Sequence, residues 1–340
     1  MASTLARHDR KGIVFIVATL LGWASVLLFL KHLTPYIDGW TANGWRYGVS
    51  AALWLPLLLA GLHRGTLPDR LWQRALIPSL LNCIGQSCFA QMPYYILPGL
   101  GGFLLRVSLV TSTGGALLLF ADERPLVRSP LFWAGMGLVV AGSAGTIFNG
   151  ATPIEGGSAT GIILGLCAGA FFGLYGVSVR YWMRGVPVMT SFAVISLYTA
   201  AGMIALMLAF SPTAGRCAFD LSAFNWTMLI LSALIGIALG HVFYYAAIAR
   251  LGVAISSGII QLAPFLGAAG SMLIFHEDLR PAQWASGLVI LLGATTLLRA
   301  EQRRRRKVAA APITAPLELE DAGDPTAITD EPEPGQSRPL

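Results

Sequence analysis

The chain has 340 residues, of which 55% are hydrophobic and 12% charged, with a net charge of +6. Soluble domains carry about 25% charged residues, so this composition excludes a water-soluble globular protein and makes lipid the main solvent. The positive excess is read as membrane orientation, and no nucleic-acid partner is expected.

Ten apolar stretches follow in chain order: 12–30, 44–62, 75–95, 99–120, 131–148, 160–180, 189–210, 226–248, 253–275 and 282–299. Each approaches the roughly 20 residues a helix needs to cross a bilayer. The expected fold class is therefore an all-α polytopic membrane protein of ten transmembrane helices. Residues 1–30 resemble a signal peptide in having a basic start before an apolar run. The run is long enough to span and no small-residue cleavage site follows, so it is kept as the first helix. With residues 1–11 in the cytoplasm, most basic residues fall on the cytoplasmic side, including Arg64, Arg70, Arg74, Arg124, Arg128, Arg180, Arg184, Arg250 and Arg303 to Lys307. Only Lys31, Arg46, Arg216 and Arg280 fall outside. That asymmetry predicts a multi-pass protein of the cytoplasmic (inner) membrane with both termini inside.

The chain also repeats itself. A shift of 155 residues places Gly85-Gln86 on Gly240-His241, Arg106 on Gln261, and Phe120-Ala-Asp122-Glu123 on Phe275-His-Glu277-Asp278. A shift of 151 places Gly22 on Gly173, Trp133 on Trp284 and Gly142 on Gly293. An odd number of spans per half inverts the second half, so the expected organisation is two inverted five-helix repeats, 12–148 and 160–299. Such repeats hold a substrate site between them near the bilayer midplane. The Gly- and Pro-containing segment 149–159 reads as the linker loop. Residues 300–340, basic and then rich in Pro, Ala, Asp and Glu, read as a disordered cytoplasmic tail.

None of the 17 Asp and Glu residues falls at the centre of a span. This counts against a carrier of hydrophobic cations, which needs a buried carboxylate to pair with its cargo. The in-span polar residues are instead basic or neutral. Arg106 lies in the fourth span and its repeat mate Gln261 in the ninth. Ser79, Asn82 and Gln86 share a face of the third, and His241 and Tyr245 share a face of the eighth. Arg106, Gln86, His241, Tyr245, Gln261 and Asn82 are the expected substrate-binding residues. A guanidinium suits an oxyanion, but Arg106 could equally snorkel to the interface. His241 could be a proton carrier or a satisfied core histidine. The tyrosine pairs Tyr94-Tyr95 and Tyr244-Tyr245 lie near helix ends, where some would join an interfacial belt. Glu123 and Glu277 could cap or pair with the neighbouring Arg124 and Arg280, or sense protons. Gly161, Gly165, Gly169, Gly173 and Gly176 form a small-residue stripe suited to close helix packing. Pro264 should weaken or kink the ninth span.

The four cysteines show neither metal-ligand spacing nor a disulfide framework. No GxxxxGK[ST] phosphate loop is present. Gly142-Ser-Ala-Gly145 lacks the order of an intramembrane serine protease, and His276-Glu277 lacks helical zinc spacing. No catalytic residue, cofactor or metal is expected.

Three stretches carry a family resemblance. They are Tyr244-Tyr245-Ala-Ala-Ile-Ala-Arg250-Leu-Gly252-Val-Ala, then Leu262-Ala-Pro264-Phe with Phe275-His-Glu277, then Trp284-Ala-Ser-Gly287-Leu-Val-Ile-Leu-Leu-Gly293. In this order they resemble the EamA family of the drug/metabolite transporter superfamily. Gly22-Trp23, Arg46, Glu123, Gly135 and Gly142 extend the likeness into the first half. The resemblance implies ten helices in two inverted repeats, alternating access, and a secondary carrier, often an exporter of amino acids or related metabolites. The expected function is thus transport of a small polar, anionic metabolite across the cytoplasmic membrane, in the direction of export. Proton coupling and a homodimer are left open. The alternatives are an exporter of hydrophobic cations and a non-transporting membrane sensor or assembly factor.

Overall fold

The computed structural model describes residues 10–150, 156–251 and 253–310. Among these residues all regular structure is helical. The elements are α1 (Arg10–Leu33), α2 (Gly39–His63), α3 (Leu71–Gln91), α4 (Pro98–Leu104), α5 (Ser108–Leu119), α6 (Pro130–Phe148), α7 (Gly156–Trp182), α8 (Val188–Phe210), α9 (Ala223–Ala233), α10 (Gly240–Leu251), α11 (Val253–Ile260), α12 (Ala263–Phe275) and α13 (Pro281–Ala310). A 3-10 turn, Leu105–Val107, joins α4 to α5, and a π-helical turn, Leu234–Ala238, joins α9 to α10.

Nine helical stretches among the described residues are long and apolar enough to cross a membrane. The α4–α5 and α9–α10 segments each count as one such stretch. Helix α3 spans 21 residues but is not among the nine. It carries Arg74, Ser79, Asn82, Gln86 and Gln91, and three of these polar side chains turn inward. The outer surface explains why so few charges suffice. Leu118, Phe148 and Leu273 are each more than 75% exposed, and Leu59, Leu80 and Leu288 are largely so. Water would not tolerate so wide an apolar surface on a monomer; acyl chains would.

Helix starts follow local chemistry. Asp38 caps α2, accepting the Thr41 backbone N–H at 2.9 Å and the Thr41 hydroxyl at 2.7 Å. Pro98, Pro130 and Pro281 each occupy the first helical position, where a missing N–H costs nothing.

Packing relies on small residues, since lipid supplies no hydrophobic drive for helix association. A Cβ on Gly142 of α6 would lie 2.7 Å from the Ser286 carbonyl of α13, and one on Gly293 would lie 2.7 Å from the Val139 backbone nitrogen. The α7 stripe packs in the same way. Gly161, Gly165, Gly169 and Gly173 lie against the chain from Met92 through Ser112, while Gly176 faces open space.

The two ends of the bundle differ. At the basic end Arg180 pairs with Glu123 and lies 3.9 Å from the Phe120 ring centroid, and Arg304 bonds the Asp122 carbonyl at 2.7 Å. Arg74 of α3 donates to the carbonyls of Trp182 and Arg184. At the other end Lys31 donates to the Pro93 carbonyl at 2.6 Å, and Trp45 to that of Gly215 at 3.1 Å.

One boundary needs correction. Helix α13 runs through Ala310, so residues 300–310 are helical and not part of a disordered tail. Residues 1–9, 151–155 of the linker and 311–340 of the tail lie outside the described residues.

Candidate functional site

A cavity of about 420 Å³ opens in the middle of the bundle. Its wall draws residues from α1, α2, α3, α5, α7, α8, α10, α12 and the two irregular turns. Asn82, Gln86, Arg106, His241 and Tyr245 all lie on that wall.

Arg106 sits in the 3-10 turn that interrupts α4 and α5, and Gln261 sits in the two-residue turn between α11 and α12. The chain therefore breaks its helix at both repeat-mate positions. The second break lies just before Pro264, which takes position N2 of α12 instead of kinking a continuous helix. Irregular backbone at membrane depth persists where it borders a cavity or finds polar partners. The two mates meet: Arg106 Nη1 donates to Gln261 Oε1 at 3.1 Å. Gln261 is buried and does not line the cavity. The expectation that it contacts substrate is thus corrected to a role behind the wall, holding Arg106. Arg106 Nε is buried without a partner, as is Gln86 Oε1.

Asn82 spends its amide on protein, donating to the Tyr47 hydroxyl at 3.2 Å and to Thr199 Oγ1 at 3.1 Å. It positions Tyr47, another wall residue. Ser79, on the same helical face, is buried but not on the wall. His241 Nδ1 lies 3.1 Å from the Ile237 carbonyl in the π-helical turn. A carbonyl only accepts, so Nδ1 carries a proton, and whenever the ring is neutral its lone pair is on Nε2. The ring stacks on Phe192 at 4.9 Å and meets Trp23 edge-on at 5.4 Å. Tyr244 and Tyr245 line the cavity and do not lie in an interfacial belt. Tyr94 is turned in toward the Ile37 carbonyl, whereas Tyr95 is 47% exposed.

Sequence reading missed Arg46. Assigned to the outer loop side, it lies inside α2, is 1% exposed and lines the cavity. Its Nη1 donates to Asn43 Oδ1 at 2.8 Å, and its Nε has no partner. Among the described residues no Asp or Glu lines this cavity.

The two span-end glutamates find partners on helices distant in sequence. Glu123 pairs with Arg180 of α7 and not with Arg124. Glu277 takes the N-terminus of α4, accepting from Gly99 N at 2.7 Å and Leu100 N at 2.9 Å. A carboxylate there complements the positive end of the helix dipole.

The cavity continues in one direction. Two further spaces of about 300 and 330 Å³ share Gly176 with it and reach Arg180 at the basic end. Toward the other end, Val26, Leu27, Leu30, Leu33, Met92 and Leu104 fill the bundle as one apolar cluster. Among the described residues no group of three His, Cys, Asp or Glu side chains could hold a metal ion.

Residues 159–299 match the model of the EamA-like transporter family. A solved crystal structure is similar to the chain with a TM-score of 0.57 at 17% identity, covering 88% of this chain and 99% of that one. At that identity the likeness establishes the fold. No curated protein matches the chain.

Proposed function

Because residues 159–299 match the model of the EamA-like transporter family, within a multi-pass helical membrane protein, we propose that the chain carries a small anionic metabolite across the cytoplasmic membrane by alternating access. Amino acids bearing an acidic group and related acids are the substrate class, and export is the direction. The observation that carries this reading is Arg106: a guanidinium on the wall of a central, acid-free cavity, with Nε lacking a partner. An unpaired buried cation is costly, and an oxyanion from the substrate would relieve that cost through strong charge-assisted bonds.

Two inverted five-helix repeats form the frame of this proposal, with α3 as the tenth span. Support comes from the bond between the mates Arg106 and Gln261, from the paired helix breaks, and from the close packing of α6 on α13. We assign the basic end to the cytoplasm by the positive-inside rule. The described conformation then faces inward, with the cavity continuing past Gly176 toward Arg180. Residues His241, Tyr245 and Gln86 would complete the polar contacts, and Asn82 and Gln261 would hold them in place.

Counterflow in proteoliposomes loaded with glutamate or succinate tests the reading. Arg106→Gln should slow exchange about ten- to a hundredfold, the cost of losing one charged hydrogen bond. Undiminished exchange of an anion by that variant would remove Arg106 from the mechanism.

A further inference from the structure

We propose that the cavity selects small organic dianions, with Arg46 and Arg106 each taking one anionic end. The inference rests on the anion-carrier reading and departs from it on one point: among acidic metabolites it favours the related acids, with two negative charges and no ammonium group, over the amino acids themselves.

Arg46 carries the argument. Its side chain is almost wholly buried, yet its guanidinium donates to an amide oxygen, that of Asn43. Asn43 is itself fixed, donating to the Gln86 backbone carbonyl at 2.7 Å. The Arg46 fork is therefore pre-positioned, and its Nε is left without an acceptor. Arg106 repeats this arrangement from another side of the same cavity: one amide-oxygen acceptor, Gln261, and a partnerless Nε. Two guanidiniums thus share a cavity whose described lining contains no carboxylate. A buried cation is normally retained only when paired. A monoanion would neutralise one of the two and leave the other facing it. A zwitterion would bring an ammonium into a space already holding two cations and no acid. The flat faces of Trp23, Phe172 and Phe192 suit the carbon frame between two anionic ends. Guanidinium forks accept carboxylate and phosphate oxygens alike, so the shared chemistry is an oxyanion at each end or a doubly charged phosphate ester.

The test is thermal unfolding of the purified full chain with succinate, glycerol 3-phosphate, butyrate or serine, at matched ionic strength. A ligand that binds the folded form raises Tm by mass action. Succinate or glycerol 3-phosphate should stabilise at concentrations at least about tenfold below butyrate or serine, and whichever dianion wins identifies the carboxylate or the phosphate source. Arg46→Gln should lower the affinity for that dianion to the level of butyrate, while butyrate binding stays unchanged. Arg46→Lys, which keeps the charge but not the fork, should fall between. Butyrate or serine matching the dianions, no stabilisation by either dianion, or an unchanged selectivity in Arg46→Gln overturns the proposal. If Arg46→Gln fails to fold, the four-ligand comparison on the unaltered protein decides. No preference for the dianions in the unaltered protein, with Arg106→Gln still impaired in counterflow, would sink the dianion inference and leave the anion carrier standing. Intact counterflow in Arg106→Gln would sink the carrier reading itself.

Discussion

At the scale of single residues, Glu277 is the side chain whose removal should move the conformational balance. It joins the end of α12 to the N-terminus of α4 through two charge-assisted hydrogen bonds. These lie at the end where the apolar cluster around Leu30 fills the bundle. Glu277→Gln keeps an acceptor but loses the charge, which should weaken this closure by about 1–2 kcal/mol. The readout is the reactivity of a cysteine at Leu30 toward an impermeant maleimide applied from outside; unchanged reactivity in Glu277→Gln would show that the pair does not hold the closure. Arg46 shows how residue-scale sequence reading goes astray. Hydropathy alone starts its span at residue 44 and leaves Arg46 at the rim. The helix instead begins at Gly39 because Asp38 caps it through Thr41, and seven steps of about 1.5 Å carry Arg46 about 10 Å along the helix. The Asp-x-x-Thr spacing was visible in the sequence and is the signal that could have found it. Glu123 and Glu277 were legible as end residues, but their partners come from α7 and α4, distant in sequence, and no local spacing announces them.

At the scale of helices, glycine decides which surfaces touch. In α6, Gly142 is pressed against Ser286 and Ile290 of α13, whereas Gly137 has nothing within 4 Å of its would-be Cβ. Replacing either by alanine gains roughly 0.8–1 kcal/mol of helix propensity. At Gly142 the overpacking cost of about 1–3 kcal/mol wins, so Gly142→Ala should lower the unfolding temperature in detergent. Gly137→Ala should leave it unchanged or raise it. Equal effects from the two would mean that α6 and α13 do not pack through Gly142. Helix positions were readable because apolar length is a strong signal in a membrane protein. The breaks were half readable: Pro264 marked the second, but nothing comparable marks the first, where Leu105–Val107 tightens to 3-10 geometry without a proline. The π-helical turn before His241 is likewise unmarked, since it adds one residue to a turn without changing composition. The internal shift of 155 residues does what local pattern cannot, pairing Arg106 with Gln261 across the two halves.

At the scale of the whole molecule, the two rival roles separate cleanly. A sensor or assembly factor that docks through its acidic C-terminal segment should fail when residues 311–340 are removed, whereas a carrier whose site lies among the helices should keep full counterflow. We expect the truncated chain to transport at the rate of the intact one; loss of function with the membrane part still folded would favour the docking role. Alternating access makes a stricter demand, that the cavity be reachable from one side at a time. The four native cysteines are free, so a version with all four replaced by serine or alanine gives a clean background for labelling. Gly176→Cys places a thiol on the wall shared by three spaces, where nothing beyond its own helix lies within 4 Å of the added Cβ. It should react with impermeant maleimide in inside-out vesicles, not in right-side-out ones, and a bound substrate should protect it. Leu30→Cys, inside the apolar cluster, should stay unreactive from both sides until the closure at Glu277 is loosened. Adding Glu277→Gln should therefore raise labelling of Leu30→Cys from outside and lower that of Gly176→Cys from inside, because one equilibrium between two states governs both. Independent responses at the two positions would mean that the ends open separately, and the rocking of one half against the other would have to be abandoned.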